Sequence, residues 1–206
     1  MKRQRAVTLS RPFVLMACVA CAAPPITAAQ AQNVEPQREP AVLPLPAPAR
    51  RAELHDALPQ HRLVGQGRLT FWGLQVYDAS LWATPRFKPD EPFGETFALE
   101  LAYLRDFSSA DIAERSIAEM RRSAAIPDAQ AKTWRGQLQR VLPDIKKGDR
   151  VIGLYRPGLG AQFLVNGKPA GDIPDAGFAR LFFGIWLSPN TSEPTLRAAL
   201  LAGAIR

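Results

Sequence analysis

Only Trp72-Gly73 separates two strand-like runs, residues 63–71 and 74–82, and a link that short forces them into an antiparallel hairpin. Large apolar residues recur along both arms, so the hairpin has to bury a face against something else. A third run, Phe97-Ala98-Leu99-Glu100-Leu101-Ala102-Tyr103, alternates strictly and puts Phe97, Leu99, Leu101 and Tyr103 on one side. The chain is committed to a sheet with a greasy face before any helix is considered.

Helical patterns supply the cover. After Asp106-Phe107, Ser108 or Ser109 caps a helix in which Ile112, Ala113, Ser116, Ile117 and Met120 share one face, with Glu114, Arg115, Arg121 and Arg122 on the wet side. Pro127-Asp128 opens a second helix that turns Trp134, Leu138 and Val141 inward and stops before Pro143. Strand patterns return at 151–155 and 161–165. Asn166-Gly167 then marks a type I′ turn, because both residues tolerate positive φ. Pro174-Asp175 starts a helix through Phe178, Leu181, Phe182, Ile185 and Trp186, apolar enough to be buried on most faces. Thr191 or Ser192 caps a last helix with Pro194 in its first turn. The order predicts an α+β domain, with helices over one face of a mainly antiparallel sheet.

The N-terminal residues read as an address. Lys2, Arg3, Arg5 and Arg11 precede an apolar run over 13–23, and Ala29-Gln30-Ala31 has the A-x-A form of a cleavage site. Pro24-Pro25 ends the run short of the ~20 residues a spanning helix needs. The expectation is a signal peptide at 1–31 and export to the periplasm. An alternative is lipid anchoring, since Leu15-Met16-Ala17-Cys18 loosely has the form of an acylation box. Residues 32–59, with Pro36, Pro40, Pro44, Pro46 and Pro48, predict a disordered, extended tether, which leaves 60–206 as the folded domain.

Removing the leader changes the chemistry available. The whole chain has 26 Lys+Arg against 19 Asp+Glu, and four of the basic residues belong to the leader, so the remainder is near +3 (22 minus 19) rather than +7. No basic stripe with interleaved aromatics remains, which argues against nucleic acid as a partner. Both cysteines, Cys18 and Cys21, fall in the leader, and the two histidines, His55 and His61, lie in the tether or at its edge. These positions disfavour a disulfide, a thiolate or histidine nucleophile, and a metal site. Gly65-Gln66-Gly67 and Gly158-Leu159-Gly160 do not precede helices, so no phosphate-cradling loop is expected and no cofactor is implied. Arg68, a permanent cation among greasy strand residues, then suggests an apolar cavity with one cationic end.

Several separate motifs carry a family resemblance. Gly65-Gln66-Gly67-Arg68, Gly73-Leu74-Gln75-Val76-Tyr77-Asp78-Ala79-Ser80-Leu81-Trp82, Tyr103-Leu104-Arg105-Asp106-Phe107 and Glu114-Arg115-Ser116-Ile117-Ala118-Glu119-Met120 occur in order. Pro143-Asp144-Ile145-Lys146-Lys147-Gly148-Asp149, Phe182-Phe183-Gly184-Ile185-Trp186-Leu187 and Thr191-Ser192-Glu193 follow. Together they resemble the exported bacterial branch of the chalcone isomerase-like superfamily. The resemblance implies an open-faced β-sandwich with a ligand cleft between sheet and helices. In that superfamily plant enzymes close a flavanone ring, and related plastid proteins bind fatty acids. It further implies ligand contacts from Arg68 and Tyr77 and a hydroxyl at Thr191 or Ser192; Tyr103 joins Arg68, Tyr77 and Thr191 as a candidate ligand-binding residue. The tyrosine and asparagine that the enzymes carry on the next strand and helix lack a clear match, since Phe107-Ser108 and Arg115 stand there.

Plainer readings stand beside these. Arg68 is also a candidate for ion pairing with Asp78 or Glu100, Tyr77 and Tyr103 for core aromatics, and Arg115 with Glu119 for a surface ion pair. Three functions follow: a carrier of a fatty acid or other small amphipathic or aromatic acid, a cofactor-independent isomerase of the intramolecular lyase type, and a non-catalytic protein serving a membrane-associated partner. The first is the preferred expectation, with Arg68 as an anion anchor.

Overall fold

Residues 51–203 are described by the computed structural model; the expected leader and all but the end of the expected tether lie outside them. Six strands pair in sequence order into one antiparallel sheet: β1 (Arg62–Phe71), β2 (Leu74–Ala83), β3 (Phe97–Tyr103), β4 (Arg150–Arg156), β5 (Gly160–Val165) and β6 (Lys168–Ile173). The helices α1 (Ser109–Met120) and α2 (Asp128–Val141) are inserted between β3 and β4, and α3 (Ala176–Leu187) and α4 (Pro194–Leu201) follow β6. The α+β expectation holds, with strand and helix limits close to those the periodicity implies.

Local chemistry explains the limits. Both turn residues of the first hairpin take positive φ, +51 at Trp72 and +75 at Gly73, and Asn166 and Gly167 do the same at the β5–β6 turn. The Ser108 hydroxyl accepts from the Asp111 amide at 3.1 Å and so caps α1. Asp175 caps α3 through the Phe178 amide at 2.9 Å, and its other oxygen accepts from the Trp134 indole at 2.9 Å, which ties α2 to the start of α3. The last helix departs from expectation. Glu193 occupies its N-cap position without a side-chain bond, while Thr191 sits one turn back, donating to the Ile185 carbonyl at 2.6 Å and accepting from the Glu193 amide at 3.1 Å.

One large core lies between the sheet and the helices. Leu81, Phe97, Leu99, Tyr155 and Phe163 face Ile117, Leu138, Phe178, Phe183 and Leu200 there, all buried. Gly65 and Gly67 let α4 lie directly on β1: a Cβ at Gly65 would overlap the carbonyls of Ala199 and Leu200, and one at Gly67 would come within 2.7 Å of the Leu196 side chain. These glycines, which resemble half of a phosphate loop, serve close packing.

The opposite face is also covered in part, and here the expected boundary at residue 60 moves. Residues 51–59 include a 3₁₀ turn, Ala52–Leu54, and Leu54 and Leu58 pack on Trp82, Ala98, Ile152, Leu154 and Leu164. Arg51 then reaches Glu100 on β3 through Nε and Nη2, both at 2.6 Å. The proline pattern of 32–59 gave no sign of this strap, because Leu54 and Leu58 carry too short an apolar pattern to mark an element.

Candidate functional site

A cavity of about 320 Å³ opens between the sheet, α1 and α3. Leu69, Tyr77 and Tyr103 form its floor, Ile112 and Ser116 of α1 one wall, and Phe182 and Trp186 of α3 the other. Ser116 keeps this wall thin, its hydroxyl donating to the Ile112 carbonyl at 2.7 Å rather than into the cavity. Phe71, Arg115, Glu119, Ser192 and Glu193 stand around the mouth. The lining is therefore mainly apolar, with Asp111, Arg115, Glu119 and Glu193 as its charged members, the layout of a site for an amphipathic molecule.

Two phenols supply the polarity inside. The Tyr77 hydroxyl accepts from the Trp186 indole at 2.9 Å, and the Tyr77 and Tyr103 rings meet edge to face at 5.8 Å. The Tyr103 hydroxyl has no hydrogen-bond partner among the described residues, which leaves a donor on the cavity floor. Burial pushes both phenols well above the ordinary tyrosine value of 10.0, against the small opposing effect of the indole on Tyr77. Both remain neutral donors across the physiological range.

That shift has a measurable consequence. The folded domain holds these protons at a pH where the unfolded chain gives them up. Their contribution to stability is thus intact below about pH 10 and is lost as pH rises above it. Denaturant unfolding followed from about pH 9 to about pH 11 should show falling stability, with a shallower fall in Tyr103→Phe. An unchanged slope in that variant would count against a buried phenol at this position.

Arg68 is not part of the cavity, contrary to expectation. An uninterrupted hairpin closed by Trp72-Gly73 pairs Phe71 with Leu74 and, continuing, Arg68 with Tyr77. The observed ladder has a bulge at Val76: Thr70 opposes Gln75, but Leu69 opposes Tyr77 and Arg68 opposes Asp78. Val76 and Tyr77 both line the cavity as a result, while Arg68 stays on the other face. There it grips Asp78 with two hydrogen bonds of 2.5 and 2.8 Å, the plain ion-pair reading of this residue.

The cation at the cavity is Arg115, which the helical pattern had assigned to the wet face. Its side chain is 63% exposed, its Nη2 is 2.7 Å from Glu119, and its guanidinium lies 6.0 Å from the centre of the Phe71 ring. Glu119 has a second cation, Arg122, at 3.6 Å. Of the candidate ligand residues, Tyr77 and Tyr103 both line the cavity; Thr191 does not, although it fixes the turn that presents Ser192 and Glu193 to it. Trp186, read from sequence as packing, both lines the cavity and orients Tyr77.

A larger depression of about 600 Å³ lies between the 90–94 loop and the end of α3. Volume favours it, but its chemistry does not. Asp90 and Glu91 share it with Arg180 and Arg197, and both cations are engaged, Arg180 over the Phe93 ring at 5.0 Å and Arg197 with the Leu187 carbonyl at 2.9 Å.

Known proteins place the fold. A family profile described as chalcone isomerase-like matches residues 55–202. A Haemophilus influenzae protein described only as uncharacterized is 25% identical over 139 residues, which cover 67% of this chain and 66% of that one, so the chain spans just under two thirds of this relative's length. Among solved structures, a fatty-acid binding protein of Arabidopsis thaliana is similar with a TM-score of 0.55 at 12% identity, over 70% of this chain and 88% of that one. At that identity the likeness is one of fold.

Proposed function

Because the chain belongs to the chalcone isomerase-like family, we propose that it binds a small amphipathic or aromatic acid, such as a fatty acid, in the cavity between its sheet, α1 and α3. The observation that carries this reading is the distribution of polarity: a mainly apolar lining, a phenol at Tyr103 with no hydrogen-bond partner among the described residues, and a long cationic side chain, Arg115, at the mouth. A volume of about 320 Å³ is at the lower end of ordinary small-molecule sites, roughly 300–1,000 Å³, and suits one chain or a compact ring system. The fatty-acid binding protein of Arabidopsis has the same fold and supports the ligand class.

Arg115 takes the role first expected of Arg68. Its guanidinium exchanges Glu119 for the ligand's acid group, and Glu119 keeps Arg122 as a partner. Ser192 and Glu193 border the entrance on the opposite side. The leader at 1–31 delivers this domain to the periplasm, where an acyl or aromatic acid is met outside the cytoplasm.

Mass spectrometry on natively purified protein tests both parts. Wild type should begin after Ala31 and release one amphipathic acid. Losing a charge-assisted hydrogen bond costs about 1.5–3 kcal/mol, so Arg115→Ala should weaken ligand affinity at least about tenfold and lower occupancy with it, whereas Arg68→Ala should leave both unchanged. A wild type that is empty and takes up no fatty acid, or a loss confined to Arg68→Ala, would sink the proposal.

A further inference from the structure

The β1–β2 hairpin holds large apolar side chains in water. Phe71, Trp72 and Leu74 are 51, 89 and 52% exposed. Trp72 is a turn residue with φ +51, a conformation that bulky side chains rarely adopt and that the turn could satisfy more easily with asparagine. A tryptophan held in a left-handed turn and almost wholly solvated contributes nothing to the core.

The charge pattern around it is equally selective. Residues 69–77 form nine consecutive positions without a charge, and the pair that bounds them, Arg68 and Asp78, neutralises itself. The tip can therefore leave water without dehydrating a carboxylate or an unpaired cation. Phe71 belongs both to the tip and to the cavity mouth, and Arg115 lies 6.0 Å from its ring. An apolar, uncharged protrusion is in this way continuous with the lining of the cavity and has a cation just behind it.

We propose that the Phe71-Trp72-Gly73-Leu74 tip inserts into the interfacial layer of a lipid bilayer, with Arg115 at the level of the lipid phosphates, and that the cavity exchanges its amphiphile with the bilayer across Phe71. The exchange rests on the cavity reading above; the docking does not. A bilayer is the occupant that fits, because it both covers a convex tip without a complementary pocket of its own and stores molecules with a tail and an acid head. Tryptophan is the side chain best matched to that depth, apolar in its body and polar at its N–H.

The test uses the natively purified protein, from residue 32 onward, with vesicles of phosphatidylcholine alone and with added phosphatidylglycerol. Trp82, Trp134 and Trp186 are 2, 6 and 7% exposed, so a vesicle-induced blue shift in tryptophan emission reports Trp72. Wild type should shift and co-sediment with vesicles. The double variant Trp72→Asn with Leu74→Thr, which keeps turn and strand preferences, should reduce the bound fraction at least about tenfold while its melting temperature and ligand occupancy stay at wild-type values. A wild type that carries ligand but ignores both kinds of vesicle overturns the docking and leaves the cavity reading intact. Vesicle binding that survives in the double variant also overturns it. Binding lost in the variant, with an empty cavity in wild type, keeps the docking and removes the ligand.

Discussion

Arg51→Ala should lower the unfolding free energy by about 3–5 kcal/mol, the range for removing one partner of a buried ion pair. Glu100 is 2% exposed in the middle of β3, on the face away from the helices. Arg51 supplies both of its short hydrogen bonds and lies 5.7 Å over the Trp82 ring. Without Arg51 the carboxylate keeps, among the described residues, only Arg150 at 3.7 Å, and that guanidinium is already held by Glu53 at 2.6 Å. The strap that places Leu54 and Leu58 on the sheet loses its anchor in the same step. Urea unfolding measures the loss, and hydrogen exchange should show residues 51–58 opening first. Adding Glu100→Leu to Arg51→Ala removes the stranded charge and should recover most of the stability. If the single variant lies within about 1 kcal/mol of wild type, Glu100 is solvated and the clasp has little weight.

Phe183→Ala carries a comparable cost, about 3–5 kcal/mol. Its ring is fully buried and meets Phe97, Tyr155 and Phe182 edge to face at 5.2, 5.6 and 5.3 Å. Beneath it, β4 carries Gly153, where an added Cβ would lie 3.0 Å from the ring. Gly153→Ala is therefore expected to destabilise wild type by crowding the ring, and to do so much less when Phe183 is already alanine. A double-mutant cycle by denaturant unfolding reads this coupling directly. Additive effects would show that α3 does not seat on the sheet through this contact.

How much of this was legible in the sequence depends on the range of the interaction. The helix starts at Ser108 and Asp175 and the turns at Trp72-Gly73 and Asn166-Gly167 are set by side chains within a few positions, and they were readable. The strict alternation of 97–103 correctly put Phe97, Leu99, Leu101 and Tyr103 toward the helices. It could not show that Glu100 is also buried, because the covering residue, Arg51, is 49 positions away in a stretch that composition marks as tether. The resemblance paired Tyr77 with Arg68, whereas the residue beside Tyr77 at the cavity is Tyr103. Arg68 was misplaced because nothing in Gln75-Val76-Tyr77 announces a bulge. Arg115 was missed because its pairing with Glu119 is the ordinary arrangement of a solvated helix face; only its place one residue before buried Ser116 hinted at a boundary position.

The bulge at Val76 has a counterpart. A second irregularity skips Val64 on β1, so that Leu63 opposes Trp82 while Gly65 opposes Leu81. One strand gains a residue at one end of the shifted window and the other strand gains one at its far end. Only five pairs, from Gly65 with Leu81 to Leu69 with Tyr77, are displaced, and the ladder outside them runs as it would with neither bulge. Because each valine is the extra residue of its own bulge, losing either would close that bulge and leave every other pair as it is, Leu69 with Tyr77 and Gly65 with Leu81 included. What the bulge at Val76 supplies is a second side chain beside Tyr77 on the same face, so that two consecutive residues of one strand line the cavity while the strand ends keep their register.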